Sequence, residues 1–413
     1  MLTENEIAAP DPDLTPEEVL ARARALHEVV RGEAESTEAA GGYSPDLHRR
    51  FVDAGFFRIV QPRRLGGYQF SLETYLRVIM EIARADMGTA WNLSLGTAHT
   101  LQVCAYLDEP TQVELFAPDG HFSAPHRAAP VGRATPVEGG YVVTGRWEYS
   151  SGVTHATHVI LGAMSPDPAG GPDRVLAPVI PIESVTVLDD WGGQRSLGLR
   201  GSGSNTVVVE DVFVPEARAP VYDWPYADIP PEGTVGYRMH GDPMYLGRTL
   251  AIYYGEIAAL VTGAARSSLQ EYERLLLERT TPLPPVVPRT QSPRHLRLLG
   301  AARARVQAAE ILVVQAAREY RERGERWERD REPFTVADDD AIRCVLIEAA
   351  KLAGSVIEEL FKMGGSREIR PGSILQRNHR DWSTAATHPF FSFDLIAEMS
   401  ARLHLGLPVE VVF

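Results

Sequence analysis

The chain has 413 residues, 44% of them hydrophobic, and a formal charge of −14. It can bury a large core and does not have the composition of a disordered segment. Its acidic balance argues against the clustered Lys and Arg that nucleic acid or an anionic membrane would require, so the expected partner is a small molecule.

The two cysteines, Cys104 and Cys344, stand far apart with no Cys-x-x-Cys pair or His-rich spacing, so neither a disulfide framework nor a metal site is implied. Met1 to Pro12 lacks the basic and apolar pattern of a secretory leader, and no run of 18 apolar residues occurs. The expectation is a soluble, cytoplasmic protein.

Residues 1–118 read as an N-terminal helical domain. Thr15-Pro16-Glu17-Glu18 supplies an N-cap, an N1 proline and an acidic first turn ahead of Val19, Leu20, Ala23 and Leu26 at helical spacing. Phe51, Ala54, Phe56 and Phe57 predict a second short helix. Trp91 and His99, eight residues apart, fall close to one helical face.

Residues 119–225 change to short apolar runs punctuated by Gly and Pro, the pattern of a β domain. His126 lies near its start. Gly139-Gly140 predicts a hairpin turn leading into Tyr141 to Trp147, and Tyr149-Ser150-Ser151-Gly152 follows. His155 and His158 are expected at the sheet edge. Gly201-Ser202-Gly203-Ser204 looks like a phosphate loop, but a strand follows it (Thr206 to Pro215), so the helix N-terminus that would hold an anion is missing.

Residues 226–413 return to helical spacing and read as a four-helix bundle. Ile342, Val345, Leu346, Ala349, Leu352, Val356, Ile357 and Leu360 form one stripe, capped ahead by Asp338 to Asp340 and ended by Gly364-Gly365. Thr280 to Pro293 is too rich in proline to be helical and predicts a loop. Tyr222 to Leu246, with Trp224, Tyr237 and His240, reads equally as a substrate lid or a plain surface loop.

The order of helices, sheet and bundle is an α+β arrangement. With the 137–152 and 198–215 motifs, it resembles the acyl-CoA dehydrogenase superfamily, and more narrowly the oxygenase components of two-component flavin-dependent monooxygenases. The resemblance implies that Trp147, Tyr149, Ser150 and Ser151 line the flavin, with hydroxyl or backbone donors aimed at its pyrimidine edge. A core aromatic and plain turn serines are the competing reading of these residues. Arg200, Ser202 and Ser204 either touch the flavin or brace the strand. Gly364-Gly365 with Arg377 and Arg380 would meet its phosphate.

In Leu375 to Phe390 the superfamily has an Arg-Asp pair followed by a catalytic glutamate. Here Arg380-Asp381 is followed by His388 and Pro389, and no carboxylate occurs before Asp394. The monooxygenase branch has a histidine at His388, which would act as acid/base toward substrate or peroxide, its imidazole titrating near about 6.5. Ser151 would position the flavin beside it.

Trp91, His99, His126 and Tyr237 would shape the substrate pocket. Relatives usually have a small residue where His126 stands. The implied cofactor is reduced FAD or FMN, FAD slightly favoured, with O2 as co-substrate. No nicotinamide-binding fingerprint occurs, so a separate NAD(P)H-flavin reductase is the implied partner, and a homotetramer the implied assembly. The expected reaction is hydroxylation of an aromatic or other electron-rich molecule. The alternatives are N-oxygenation of an amino sugar or amine, and an acyl-CoA dehydrogenase with a relocated base such as Glu256.

Overall fold

A computed structural model of the chain describes residues 7–167 and 170–409. Half of the Met1 to Pro12 stretch read for a leader lies outside the described residues. Seven helices come first: α1 (Pro16–Ala25), α2 (His27–Ala40), α3 (Pro45–Asp53), α4 (Leu72–Ala85), α5 (Met87–Thr97), α6 (Thr100–Tyr106) and α7 (Glu109–Phe116). Thr15 caps α1 as expected: its hydroxyl accepts the Glu18 N–H at 3.2 Å, and the Glu18 carboxylate accepts the Thr15 N–H at 3.0 Å. Phe56 and Phe57 do not continue a helix. Gly55 at φ 86° ends the chain's turn after α3, and Phe56–Arg58 forms a 3₁₀ turn.

The sheet follows, with β1 (His126–Val137), β2 (Gly140–Trp147), β3 (His158–Ser165), β4 (Arg174–Leu176), β5 (Val179–Pro181), β6 (Thr186–Val187) and β7 (Val207–Pro215). Strands run in the order β4-β3-β1-β2-β7-β6, and β5 also pairs with β3. The β1–β2 hairpin turns at Gly139, whose φ of 78° favours glycine, and Val137 pairs with Gly140. Its side chains close a small core of their own around Trp147, Val143, Leu161, Val207 and Val209.

After the sheet come α8 (Val235–His240), α9 (Leu250–Glu278), α10 (Pro293–Asp330), α11 (Val336–Gly364), α12 (Ile374–Ala385) and α13 (Phe393–His404). The Pro-rich segment is the loop between α9 and α10. α9 is buried along most of its length against α4, α5, α10 and α11, so the first and last helices share one core.

The aspartates before α11 act differently from expectation. Thr335 is the cap and Asp338 its capping-box partner, while Asp339 accepts the Leu250 and Ala251 N–H groups at 2.9 and 3.0 Å. The Asp339 carboxylate thus caps α9, a neighbouring helix, where the N-terminal dipole favours negative charge.

Candidate active site

The site is built where the sheet meets α5. After β2, Tyr149 takes φ 63° and Gly152 φ 90°, folding Ser150 and Ser151 into a tight turn. The second glycine-serine motif pairs with this turn: the Gly152 N–H donates to Ser202 O at 3.0 Å and the Ser150 N–H to Asn205 O at 3.2 Å. The hydroxyls of Ser151, Ser204 and Ser202 form a chain at 2.7 and 2.5 Å.

Both loops lie directly on α5. A Cβ at Gly152 would sit 2.7 Å from Asn92 O, and the Asn92 amide donates to Thr154 Oγ1 at 3.0 Å and Gly201 O at 3.3 Å. Asn92 thus locks the two loops to the helix. Nothing in the sequence beyond its place beside Trp91 pointed to that role.

From Trp91 a continuous run of rings crosses the molecule. Trp91 meets His388 edge-on with centroids 6.1 Å apart, His388 meets Phe390 at 4.8 Å, and Phe390 stacks on Tyr254 at 4.7 Å and Tyr253 at 6.4 Å. Tyr253 meets His99 at 5.9 Å, His99 meets His126 at 5.5 Å, His126 meets Tyr222 at 5.0 Å, and Tyr222 meets Trp224 at 5.4 Å. The first part of the Tyr222 to Leu246 segment therefore enters the site.

His388 caps a short turn, its Nδ1 accepting the Phe390 N–H at 3.2 Å. An Nδ1 lone pair used in this way leaves the proton of the neutral ring on Nε2. Burial, with Arg127 second, pushes the imidazole pKa down to about 4. At neutral pH His388 is therefore an uncharged N–H donor. Arg127 itself donates from Nε to Glu148 O at 3.0 Å.

His99, 4% exposed, donates from Nδ1 to Ala124 O at 3.0 Å, and burial lowers its pKa to about 4. His126 is also held neutral, its pKa well below the usual range because it is buried beside His99 and Arg127. Among the carboxylates near these rings, Glu256 accepts from Ser94 Oγ at 2.9 Å and is 1% exposed. Burial lifts its pKa well above the carboxylate range, which favours the protonated form.

Several expected site residues make other contacts. Trp147 is fully buried in the sheet core, its indole N–H bonded to Gly162 O at 2.9 Å, the packing of a core aromatic. Tyr237 packs edge-on against Trp327 at 4.9 Å and donates to Glu328 at 3.1 Å, away from the ring run. Arg380 donates from Nη2 to both Glu38 carboxylate oxygens at 2.8 and 3.1 Å, and Arg377 approaches the same carboxylate at 3.4 Å. These two arginines tie α12 to α2, and the Nε of each is buried without a hydrogen-bond partner.

Arg200 donates to Ser196 O at 3.0 Å, a bracing contact. Tyr149 is 60% exposed with its edge toward Trp191. His155 donates from Nε2 to Tyr43 O at 2.8 Å, and His158 stacks on Phe122, both away from the ring run.

The Gly364-Gly365 turn has a different arginine. Arg289, 5% exposed, donates from Nη2 to Gly364 O at 2.9 Å, while its Nε and Nη1 are buried without a partner. A buried guanidinium with unpaired donors suits an anionic oxygen such as a flavin phosphate. It lies at the end of the Pro-rich loop, where composition gave no sign of it.

Among the described residues no helix is long and apolar enough to cross a membrane, and no cluster of metal-ligating side chains occurs. Residues 17–110 match the acyl-CoA dehydrogenase N-terminal domain and residues 256–393 the acyl-CoA dehydrogenase C-terminal domain. The chain belongs to the acyl-CoA dehydrogenase superfamily.

Within it, the chain groups with flavin-dependent monooxygenases rather than dehydrogenases. It is 34% identical over 230 residues to the flavin-dependent monooxygenase oxygenase subunit HsaA of Rhodococcus jostii, covering 51% of this chain and 59% of that one. It is 24% identical to the oxygenase component of p-hydroxyphenylacetate 3-hydroxylase of Acinetobacter baumannii, over 97% of this chain and 92% of that one. The crystal structure of 3-HSA hydroxylase from Rhodococcus sp. RHA1 superposes with a TM-score of 0.85 at 26% identity, covering 95% of this chain and 98% of that one.

Proposed function

We propose that the protein is the oxygenase component of a two-component flavin-dependent monooxygenase and hydroxylates a phenolic aromatic. The observation that carries this reading is the run of rings from Trp91 to Trp224, which contains three imidazoles held neutral by burial. Rings of this kind would suit a flat aromatic, and a histidine stands at His388 in place of the carboxylate that α-proton abstraction from an acyl thioester would need.

The residues present fit a flavin. Ser151 and Ser204 offer hydroxyls beside the turn on α5, and Arg289 offers two unpaired buried N–H groups at the glycine turn. Reduced flavin, when bound, supplies the two electrons with which O2 is activated. The chain's own part is to hold the ring between the serine turn and the Trp91–His388 pair, exclude water, and present the His388 Nε2–H to a reacting oxygen. His99 and His126 contact the substrate at the far end of the run.

A separate NAD(P)H-flavin reductase delivers the reduced cofactor, FAD ahead of FMN, and the protein works in the cytoplasm as a homotetramer. The exposed Phe213, Val131 and Leu197 support burial against other subunits.

The test is anaerobic loading with reduced FAD or FMN, then mixing with O2 and a phenol, with oxygen consumed compared with hydroxylated product. Product close to oxygen in amount is expected. Failure to bind reduced flavin, together with anaerobic bleaching of oxidised flavin by an acyl-CoA, would overturn the proposal.

A further inference from the structure

His126 ends a buried hydrogen-bond chain that fixes its tautomer. Tyr253 OH donates to Gln102 Oε1, and the Gln102 amide nitrogen, 2% exposed, donates to His126 Nδ1 at 3.1 Å. Tyr222 is hydrogen-bonded to Tyr253 in turn. With Nδ1 accepting, the ring proton sits on Nε2. That nitrogen is buried and has no protein partner.

An unsatisfied buried donor costs about 1–3 kcal/mol and is tolerated where a ligand completes it. The rings around it are His99, Tyr222 and Trp224. Two cations lie near this end. Arg343, beside Tyr254, is buried in an ion pair with Asp340, and Arg127, whose charge helps lower the His126 pKa, donates from Nε to Glu148 O. A carboxylate here would be desolvated with only Arg127, held on a backbone carbonyl, as counter-charge, whereas a neutral oxygen would satisfy the His126 donor at no such cost.

We infer that His126 Nε2–H is the specificity determinant of this pocket and selects an uncharged aromatic substrate carrying a carbonyl oxygen that accepts from it. The inference rests on the phenol-hydroxylase reading above and narrows its substrate class. Binding and turnover therefore have to be measured separately.

Three para-substituted phenols serve as probes: 4-hydroxyacetophenone with the carbonyl, 4-ethylphenol without it, and 4-hydroxyphenylacetate with a carboxylate. Kd is measured on the flavin-loaded protein. The ketone is expected to bind about tenfold tighter than 4-ethylphenol, a ratio equivalent to about 1.4 kcal/mol, and the carboxylate weaker than either. In His126→Phe, which keeps a ring of similar size, the ketone preference should fall to about one.

A readout on the unaltered protein covers the case in which that variant does not fold. The infrared carbonyl stretch of bound 4-hydroxyacetophenone should shift down relative to the ketone in an apolar solvent. No saturable binding of the ketone, equal Kd for ketone and alkyl phenol, an unshifted carbonyl, or a preference retained in His126→Phe would each overturn the inference. So would tighter binding of the carboxylate. Loss of reduced-flavin binding or of product formation, by contrast, would count against the oxygenase reading itself.

Discussion

His388 separates two chemistries that a histidine at this place could perform. Because Nδ1 is occupied by the Phe390 N–H at 3.2 Å, the side chain has two separable jobs, accepting at Nδ1 and donating at Nε2. An asparagine amide reaches the Nδ1 position and can still cap the turn, but has nothing at Nε2. A glutamine reaches the Nε2 position with a donor and gives up the cap. His388→Asn should therefore lower the rate of product formation by on the order of 100-fold, the usual cost of one preorganised donor. His388→Gln should stay within about tenfold of the parent and lose up to roughly 1 kcal/mol of stability with the cap.

The assay is product per oxygen consumed under saturating reduced flavin, repeated from pH 5.5 to 8. With the imidazole pKa pushed down to about 4, the ring is neutral across that window, and the profile should carry no ascending limb from His388. A His388→Asn enzyme as productive as the parent would refute the donor role. A limb near pH 6.5 that vanishes in the Gln variant would show that His388 works as a base instead.

Trp147→Phe should cost roughly 3 kcal/mol, combining a cavity in a fully buried site with an orphaned Gly162 carbonyl. Urea unfolding would register that loss while flavin affinity stays unchanged; a large loss of affinity without loss of stability would put the indole back at the cofactor. Arg289→Ala should weaken flavin binding about tenfold to 100-fold, and Arg380→Ala should leave flavin Kd unchanged while lowering stability, because Arg380 is committed to Glu38. Equal effects of the two in a flavin titration would contradict the assignment of the phosphate contact. Acid should destabilise the fold between pH 6.5 and 4. His99 has its folded pKa lowered to about 4, so its stabilisation is complete above 6.5 and falls by roughly 3 kcal/mol as the unfolded chain takes up protons. Chemical unfolding at pH 7.5 and 4.5 would measure it.

The sequence carried the architecture because helix caps, glycine turns and apolar periodicity are local. Thr15 and Glu18, Gly139, and the end of α11 at Gly364 could each be read from a few adjacent residues. Family likeness then singled out His388, His99 and His126, which fall in one run of rings, and Ser151, which falls in the turn on α5. What stayed hidden depends on partners distant in sequence. Trp147 is a core residue only because Gly132, Gly145 and Gly162 make room for it or accept its N–H. Arg377 and Arg380 looked free until Glu38, more than 300 residues earlier, folded against them. Arg289 is the converse: unremarkable in a proline-rich loop, it becomes a candidate anion contact only once the glycine turn is packed against it.

The site also explains how one helical scaffold supports oxygenation in place of dehydrogenation. Removing an α-proton requires an ionised carboxylate beside the flavin, and the position that would supply it after α12 holds His388. Burial favours the protonated form of Glu256, which accepts a hydrogen bond from Ser94 Oγ. A negative charge in that cleft would repel a phenolate and an electron-rich reduced flavin alike. Neutral imidazoles avoid that repulsion: in the proposed reaction His388 would present one N–H where charge develops on oxygen, and His99 and His126 would face the substrate without adding charge. The shift from carboxylate to neutral donor is thus achieved by burial as much as by sequence, since the same rings that exclude water hold each histidine below its usual pKa.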